Sequence, residues 1–399
     1  VDEVVDDTGR WRALCLLALA MVLSMATWFS ASAVVPQLRV RWDLTDGTAA
    51  WLTIAVQLGF VVGAVASALL QLADRYRPLR VVAVGAVAAA AVNLGLLVAP
   101  GAAQAIGLRL GTGMALALVY PPGMKAMAAW FRRDRGLALG VMVAALTLGS
   151  ALPHLVNGLG GLDADVVVVA TSVLSLAGGG VALLVAEGPH RFPTAPFRPA
   201  QVLDVLRDRP TRLATLGYVG HMWELYALWA WVAVFLGSSF ERSGGPGGAA
   251  APLGAFAVIG VGALGSAVGG RLADRRGRAW LTRVSLAVSG TCAALVGATW
   301  GRAPVLVLAV ALVWGFWVVA DSAQFSTIVT EVADQRYVGT ALTVQLALGF
   351  VLTVVTIWLL PLLESVVTWR WAFLLLVPGP LLGFVVMGRL EPTPSSRPV

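Results

Sequence analysis

Apolar residues in this chain fall into long continuous runs separated by short polar segments. Crossing about 30 Å of hydrocarbon takes roughly 20 apolar residues in a helix, and twelve runs of that kind can be marked. They cover approximately residues 11–36, 49–72, 79–99, 103–128, 136–159, 165–187, 213–238, 249–272, 279–299, 303–330, 337–361 and 370–389. The runs lack the dyad alternation of barrel strands, so helices are predicted. The expected fold is an all-α membrane protein whose even number of spans leaves both termini on one side.

Composition agrees with that pattern. Charged residues make up 12% of the 399, against roughly 25% in an ordinary soluble domain. A soluble fold of this size would lack the polar residues to cover its surface, and low hydrophobicity, the signature of disorder, is absent. The mean hydropathy is +0.83. A net charge of +7 raises the question of nucleic acid, but the basic residues are not gathered on one module with interleaved aromatics. They sit between apolar runs, as a topology signal does. Of the 28 Lys and Arg, 21 fall on the side of the N-terminus, 5 on the other, and Arg109 and Lys125 lie inside a span. Both termini are therefore expected in the cytoplasm, with the chain in a bacterial inner membrane and the bilayer as its main partner.

The first ten residues, VDEVVDDTGR, are acidic and no small-residue cleavage site follows, so the first run is expected to be a retained span. Cys15 and Cys292 lie inside apolar runs and are expected to be free thiols. A segment at 188–212 with five arginines and five prolines reads as an irregular linker. It divides the chain into units 1–187 and 213–399 of six spans each. The halves echo each other at an offset of 200, since Leu72-Ala73-Asp74-Arg75 recurs as Leu272-Ala273-Asp274-Arg275. Internal repetition of this kind marks transporters built from two bundles.

Gly270-Arg271-Leu272-Ala273-Asp274-Arg275-Arg276-Gly277-Arg278 resembles the cytoplasmic loop motif G-x-L-x-D-R-x-G-R of the major facilitator superfamily. The counterpart from Leu70 to Pro78 keeps Asp74 and Arg75 but has Leu70, Arg77 and Pro78 where that family usually has Gly, Gly and Arg. The resemblance extends over all twelve spans and implies two pseudo-symmetric six-helix bundles working by alternating access. It further implies that Asp74, Arg75, Asp274, Arg275 and Arg278 gate the conformational change, the acid capping a neighbouring helix and the arginines pairing across the cytoplasmic face. Arg109-Leu110-Gly111-Thr112-Gly113 resembles the family's R-x-x-x-G motif, and Ala129-Trp130-Phe131 with Arg135-Gly136 looks like the turn of branches that move organic anions. Span 5 departs from the drug/proton antiporter pattern, keeping only Gly136 and Gly149 of six motif positions.

An arginine in hydrocarbon costs about 2.5–3.5 kcal/mol on insertion scales. Arg109 therefore either meets an anion or carboxylate or pins span 4 to span 1 through backbone carbonyls. Glu224 lies near the middle of span 7, one turn from His221. An acid at that depth is expected to couple protons or contact substrate, with a structural pairing to His221 or another helix as the alternative. In span 10, Asp321 is deeper than a loop acid and Gln324 lies close to the same face. Lys125, near the cytoplasmic end of span 4, is explained by snorkelling, and Glu331, Asp334 and Arg336 read as a solvated turn. Trp28, Arg109, Tyr120, His154, Trp223, Trp229, Gln324 and Gln345 are the candidate substrate-binding residues, while Glu224, His221 and Asp321 are those for proton coupling.

Gly260-Val261-Gly262-Ala263-Leu264-Gly265 fits G-x-G-x-x-G, but it lies in span 8 without a βαβ unit. Small-residue ridges for close helix packing explain it better. No Walker A, metalloprotease or nucleophile-elbow pattern is present. No enzyme activity, metal or cofactor is expected, and the protein is expected to be a monomer. The reading is a proton-coupled secondary transporter of a small solute, an organic anion because Arg109, Lys125 and His154 can offer positive charge. Proton-driven efflux of an amphipathic or cationic compound and a non-transporting membrane sensor are the alternatives.

Overall fold

A computed structural model describes residues 7–131, 134–190, 198–334 and 338–390. Among them, eleven helices are long and apolar enough to cross a membrane: Asp46–Leu70, Pro78–Val98, Ala102–Ala128, Gly136–Leu159, Ala164–Leu183, Arg209–Arg242, Ala250–Arg276, Arg278–Thr299, Pro304–Val332, Val338–Val367 and Trp369–Met387. These correspond to sequence runs 2 to 12 and keep those numbers as spans. A further apolar helix, Asp7–Met25, stands at run 1. It gives way to turns after Met25 and resumes as Ser32–Val34 and Val35–Trp42. Residues 191–197 of the linker, Arg132, Arg133, Arg336 and Arg397 lie outside the described residues.

Helix starts follow local chemistry. Thr45 accepts from the Thr48 amide ahead of span 2, and Asp163 accepts from the Asp165 and Val166 amides ahead of span 6. Asp208 accepts from the Thr211 amide ahead of span 7, where Pro210 occupies the first turn. Side-chain caps of this type satisfy amides that the helix cannot. Gly277, at φ 93°, makes the turn between spans 8 and 9 that an L side chain would strain.

Small residues set the helix contacts. A methyl on Gly265 would collide with the Phe316 carbonyl of span 10, and one on Gly269 with the Ala320 carbonyl. In the first half, Gly59 stands equally close to Leu110 of span 4, and Gly113 to Val56 of span 2. Spans 2 and 4 thus pack as spans 8 and 10 do, with backbones touching through glycine. The GxGxxG segment belongs to this packing, inside the helix Ala250–Arg276. Spans 5 and 8 join the two halves along much of their length, and so do spans 2 and 11. Ser266 Oγ donates to Gly140 O across the first contact, at 3.1 Å. Cys292 is buried, Cys15 is exposed, and both are free.

Candidate functional site

The break in span 1 is held by one side chain. Arg109 is fully buried and donates to Thr27 O at 2.9 Å, Leu52 O at 3.2 Å, Ser30 Oγ at 3.0 Å, Asn93 Oδ1 at 3.2 Å and Trp28 O. Each hydrogen bond to a charged donor contributes about 1.5–3 kcal/mol, so the set exceeds the cost of placing the arginine in hydrocarbon. Two of the carbonyls it meets, Thr27 O and Trp28 O, lie where the helix stops after Met25, and the third, Leu52 O, belongs to span 2. Asn93 completes the knot: its Oδ1 also accepts from Ser30 Oγ at 2.6 Å, and its amide donates to Ser172 Oγ of span 6 at 2.9 Å. Of the two roles open to Arg109 in the sequence, these contacts are those of the pin between spans 4 and 1.

Held in this way, residues 28 and 29 project into an aromatic cluster between the two halves. The Trp28 ring lies 4.8 Å from Phe60 of span 2, 5.8 Å from Tyr226 of span 7 and 5.8 Å from Phe350 of span 11. Phe29 meets Trp229 edge-on at 5.9 Å, and Tyr226 meets Trp229 at 5.3 Å. Spans 1, 2, 5 and 7 also carry buried polar atoms without a hydrogen-bond partner: Trp28 Nε1, both amide atoms of Gln57, Ser150 Oγ, both ring nitrogens of His154, and Trp229 Nε1. A buried polar group left unpaired costs about 1–3 kcal/mol, and most such groups in proteins are paired.

The second half carries the buried acids. Glu224 is enclosed between spans 7, 9 and 10, where Ser289 Oγ donates to Oε2 at 2.8 Å and Trp314 Nε1 donates to Oε1 at 2.5 Å. His221 is therefore not the partner of Glu224. Its Nδ1 lies 3.1 Å from Asp321 Oδ1, and its Nε2 lies 3.0 Å from Ser322 Oγ. Span 10 is interrupted here by one residue, Asp321, which keeps helical dihedrals of φ −98° and ψ −8° between the helices Pro304–Ala320 and Ser322–Val332.

On the cytoplasmic side, Arg278 donates to Glu331 Oε1 at 2.8 Å and to Gln324 Oε1 at 2.9 Å, and its Nη1 is 3.5 Å from Asp274 Oδ1. Asp274 sits against the start of span 5, because a Cβ built on Gly136 would lie 2.9 Å from both of its carboxylate oxygens. The second-half motif thus crosses to the first half. In its degraded counterpart, Asp74 pairs with Lys125 of span 4, inside its own half. Arg75 and Arg275 are exposed.

Three sequence-predicted substrate residues lie elsewhere. Gln324 belongs to the Arg278 network, half a helix away from the aromatic cluster. Trp223 faces span 12, donating to Leu375 O at 2.8 Å. Gln345 is tied to Ser326 Oγ at 3.4 Å and Ala214 O at 3.4 Å. Lys125 does more than snorkel, as its ion pair shows, and Glu331 is bridged rather than part of a free turn. Tyr120 is half-buried and begins the inner helix of span 4, after the turn at residues 117–119. The side chain of Arg135 lies outside what is described. Sequence reasoning missed Gln57, Phe60, Tyr226 and Phe350. For Gln57 a signal existed: one amide in the otherwise apolar stretch from Ile54 to Phe60.

With this geometry in hand, the chain compares as follows. The family model described as Major Facilitator Superfamily matches residues 17–356. The chain belongs to that superfamily. It is a multi-pass membrane protein and a secondary transporter of a small solute, not an enzyme. Among solved structures it is similar to a bacterial homolog of the human lysosomal transporter Spinster, in an inward-facing and unoccupied conformation. That likeness has a TM-score of 0.65 at 15% identity and covers 96% of this chain and 95% of the other, which speaks to the fold alone. No curated protein sequence matches it. Among the described residues no cluster of three or more His, Cys, Asp or Glu could hold a metal ion.

Proposed function

We propose that this protein is a proton-coupled transporter of the bacterial cytoplasmic membrane. Twelve spans form two six-helix bundles, residues 1–187 and 213–399 joined by 188–212, which alternate access as a monomer with both termini in the cytoplasm. The observation that carries the coupling is the buried His221–Asp321 pair at the break of span 10. Ionisable residues buried inside a span mark proton paths by default, and two titratable groups in contact can pass a proton between them. Glu224, one turn further along span 7, is a second proton site held by two neutral donors. The proposed gate is Asp274 with Arg278, Arg275, Asp74 and Arg75 around the cytoplasmic face.

The organic-anion reading loses much of its support, because Arg109 and Lys125 are engaged by protein acceptors. His154 alone of its three basic groups stands without a partner. Cationic efflux is weakened for Glu224, which accepts from Ser289 and Trp314, whereas Asp321 lies beside His221 through Oδ1 and its Oδ2 has no hydrogen-bond partner. The coupling is tested in proteoliposomes: Asp321→Asn should abolish accumulation driven by a pH gradient while leaving exchange across the membrane measurable. Retained accumulation in that variant would contradict the assignment.

A further inference from the structure

Span 1 serves as a ruler for the unpaired polar atoms. Gly149 of span 5 packs on Val22 and Met25, and Asn157 donates to Ala33 O at 2.7 Å. His154, between them on the same helix, is therefore level with residues near Phe29. In span 2, Thr53 meets Ser32 at 2.6 Å and Phe60 meets the Trp28 ring. Gln57 shares their helix face and falls at the same level. Trp229 reaches it from span 7 through Phe29. Four spans from both halves thus bring unpaired buried polar atoms to one depth, among the rings of Phe60, Tyr226 and Phe350.

We propose that this cluster is a solute-binding site for an uncharged molecule with a flat apolar body and a carbonyl, amide or hydroxyl group at one end. The polar atoms brought to it are indole N–H donors, an amide and an imidazole, which suit acceptors and neutral donors. Stacked and edge-on rings suit a planar body. Neither a fixed cation nor a fixed anion faces the cluster, because Arg109 is spent on span 1 and Glu224 and Asp321 are held within the second half. A charged solute would be desolvated here without a partner, which is strongly unfavourable. The inference builds on the transport reading by naming the solute class.

The full-length protein in detergent tests it with two matched series, 3-phenylpropanamide, 3-phenylpropanoate and 3-phenylpropylammonium and their 3-indolyl counterparts, with binding followed by thermal shift and titration calorimetry. At least one amide should bind about tenfold or more tightly than the carboxylate and ammonium on the same skeleton. Gln57→Leu, which keeps the volume, should weaken that binding about tenfold and raise the midpoint of the unliganded protein, because an unpaired buried amide is removed. The proposal is overturned if a charged member binds as well as its amide, if no member binds, or if Gln57→Leu leaves amide affinity unchanged. Amide binding without pH-driven accumulation would sink the coupling and leave the site standing. Accumulation of a charged member under a pH gradient, above that in protein-free liposomes, would do the reverse.

Discussion

His221 Nδ1 stands 3.1 Å from Asp321 Oδ1, at the residue where the helix of span 10 stops and restarts. The pairing links the middle of span 7 to a backbone break, so a change of charge on either partner acts on two helices at once. Under the proposed coupling, a proton taken up there would be sensed as a change in packing between spans 7 and 10. Glu224 lies on the same span but answers to Ser289 and Trp314 instead.

Glu224→Gln should lower coupling and leave stability nearly unchanged. The amide oxygen can accept from Trp314 Nε1 while its N–H donates to Ser289 Oγ, because a hydroxyl accepts as well as donates. The thermal midpoint should therefore stay close to that of the wild type while accumulation driven by pH falls. Accumulation intact in this variant would make Glu224 a packing group only.

Arg109→Lys should not rescue Arg109→Ala. One ammonium cannot reach the carbonyls of Thr27, Trp28 and Leu52 together, because they match the spread of a guanidinium. Both variants should lose about 3 kcal/mol or more, given the number of acceptors left unmet, and the thermal midpoint should show it. If Arg109→Lys kept its midpoint and lost only binding of an anionic solute, the pin would be the wrong role and the anion reading would return.

Much of this was legible in the sequence, for physical reasons that differ by residue. Hydropathy alone located the spans, since hydrocarbon admits nothing else, and Gly265 and Gly269 announced close packing because small residues at that spacing have few other uses. Arg109 announced a purpose by its cost, but two of its partners, Thr27 O and Trp28 O, lie at a helix break that the apolar run 11–36 does not reveal. His221 and Glu224 are neighbours on one helix, yet their partners come from spans 9 and 10, and a pairing across a bundle leaves no spacing to read. Gln57 went unnoticed because one amide in an apolar run carries no motif.

Glycine contacts give a prediction with an internal control. Gly265→Ala sets a methyl against the Phe316 carbonyl, where backbone must move, and should cost about 1–3 kcal/mol as overpacking does. Gly180→Ala, with no atom within 4 Å of the new methyl, should change stability by less than about 1 kcal/mol. Equal midpoints for the two variants would show that spans 8 and 10 are not pressed together as described.

Asp274→Asn should slow exchange several-fold and leave equilibrium binding nearly unchanged, because Asp274 touches the start of span 5 and no part of the aromatic cluster. Asp74→Asn should do less, since Asp74 is taken up by Lys125 within its own half. Exchange rates in proteoliposomes, compared with calorimetric affinities, separate the two motifs. A larger defect in Asp74→Asn would place the gate at the other copy.

Proton movement itself is the most direct test of the account. Purified protein is reconstituted into liposomes loaded with a pH-sensitive dye, and the amide that binds best in the matched series is added outside without an imposed gradient. Wild-type protein should change the internal pH as the amide enters, and Asp321→Asn should carry the amide in exchange with no pH change. Amide entry faster than into protein-free liposomes at unchanged internal pH in the wild type, or an unaltered pH signal in Asp321→Asn, would contradict proton coupling through the His221–Asp321 pair.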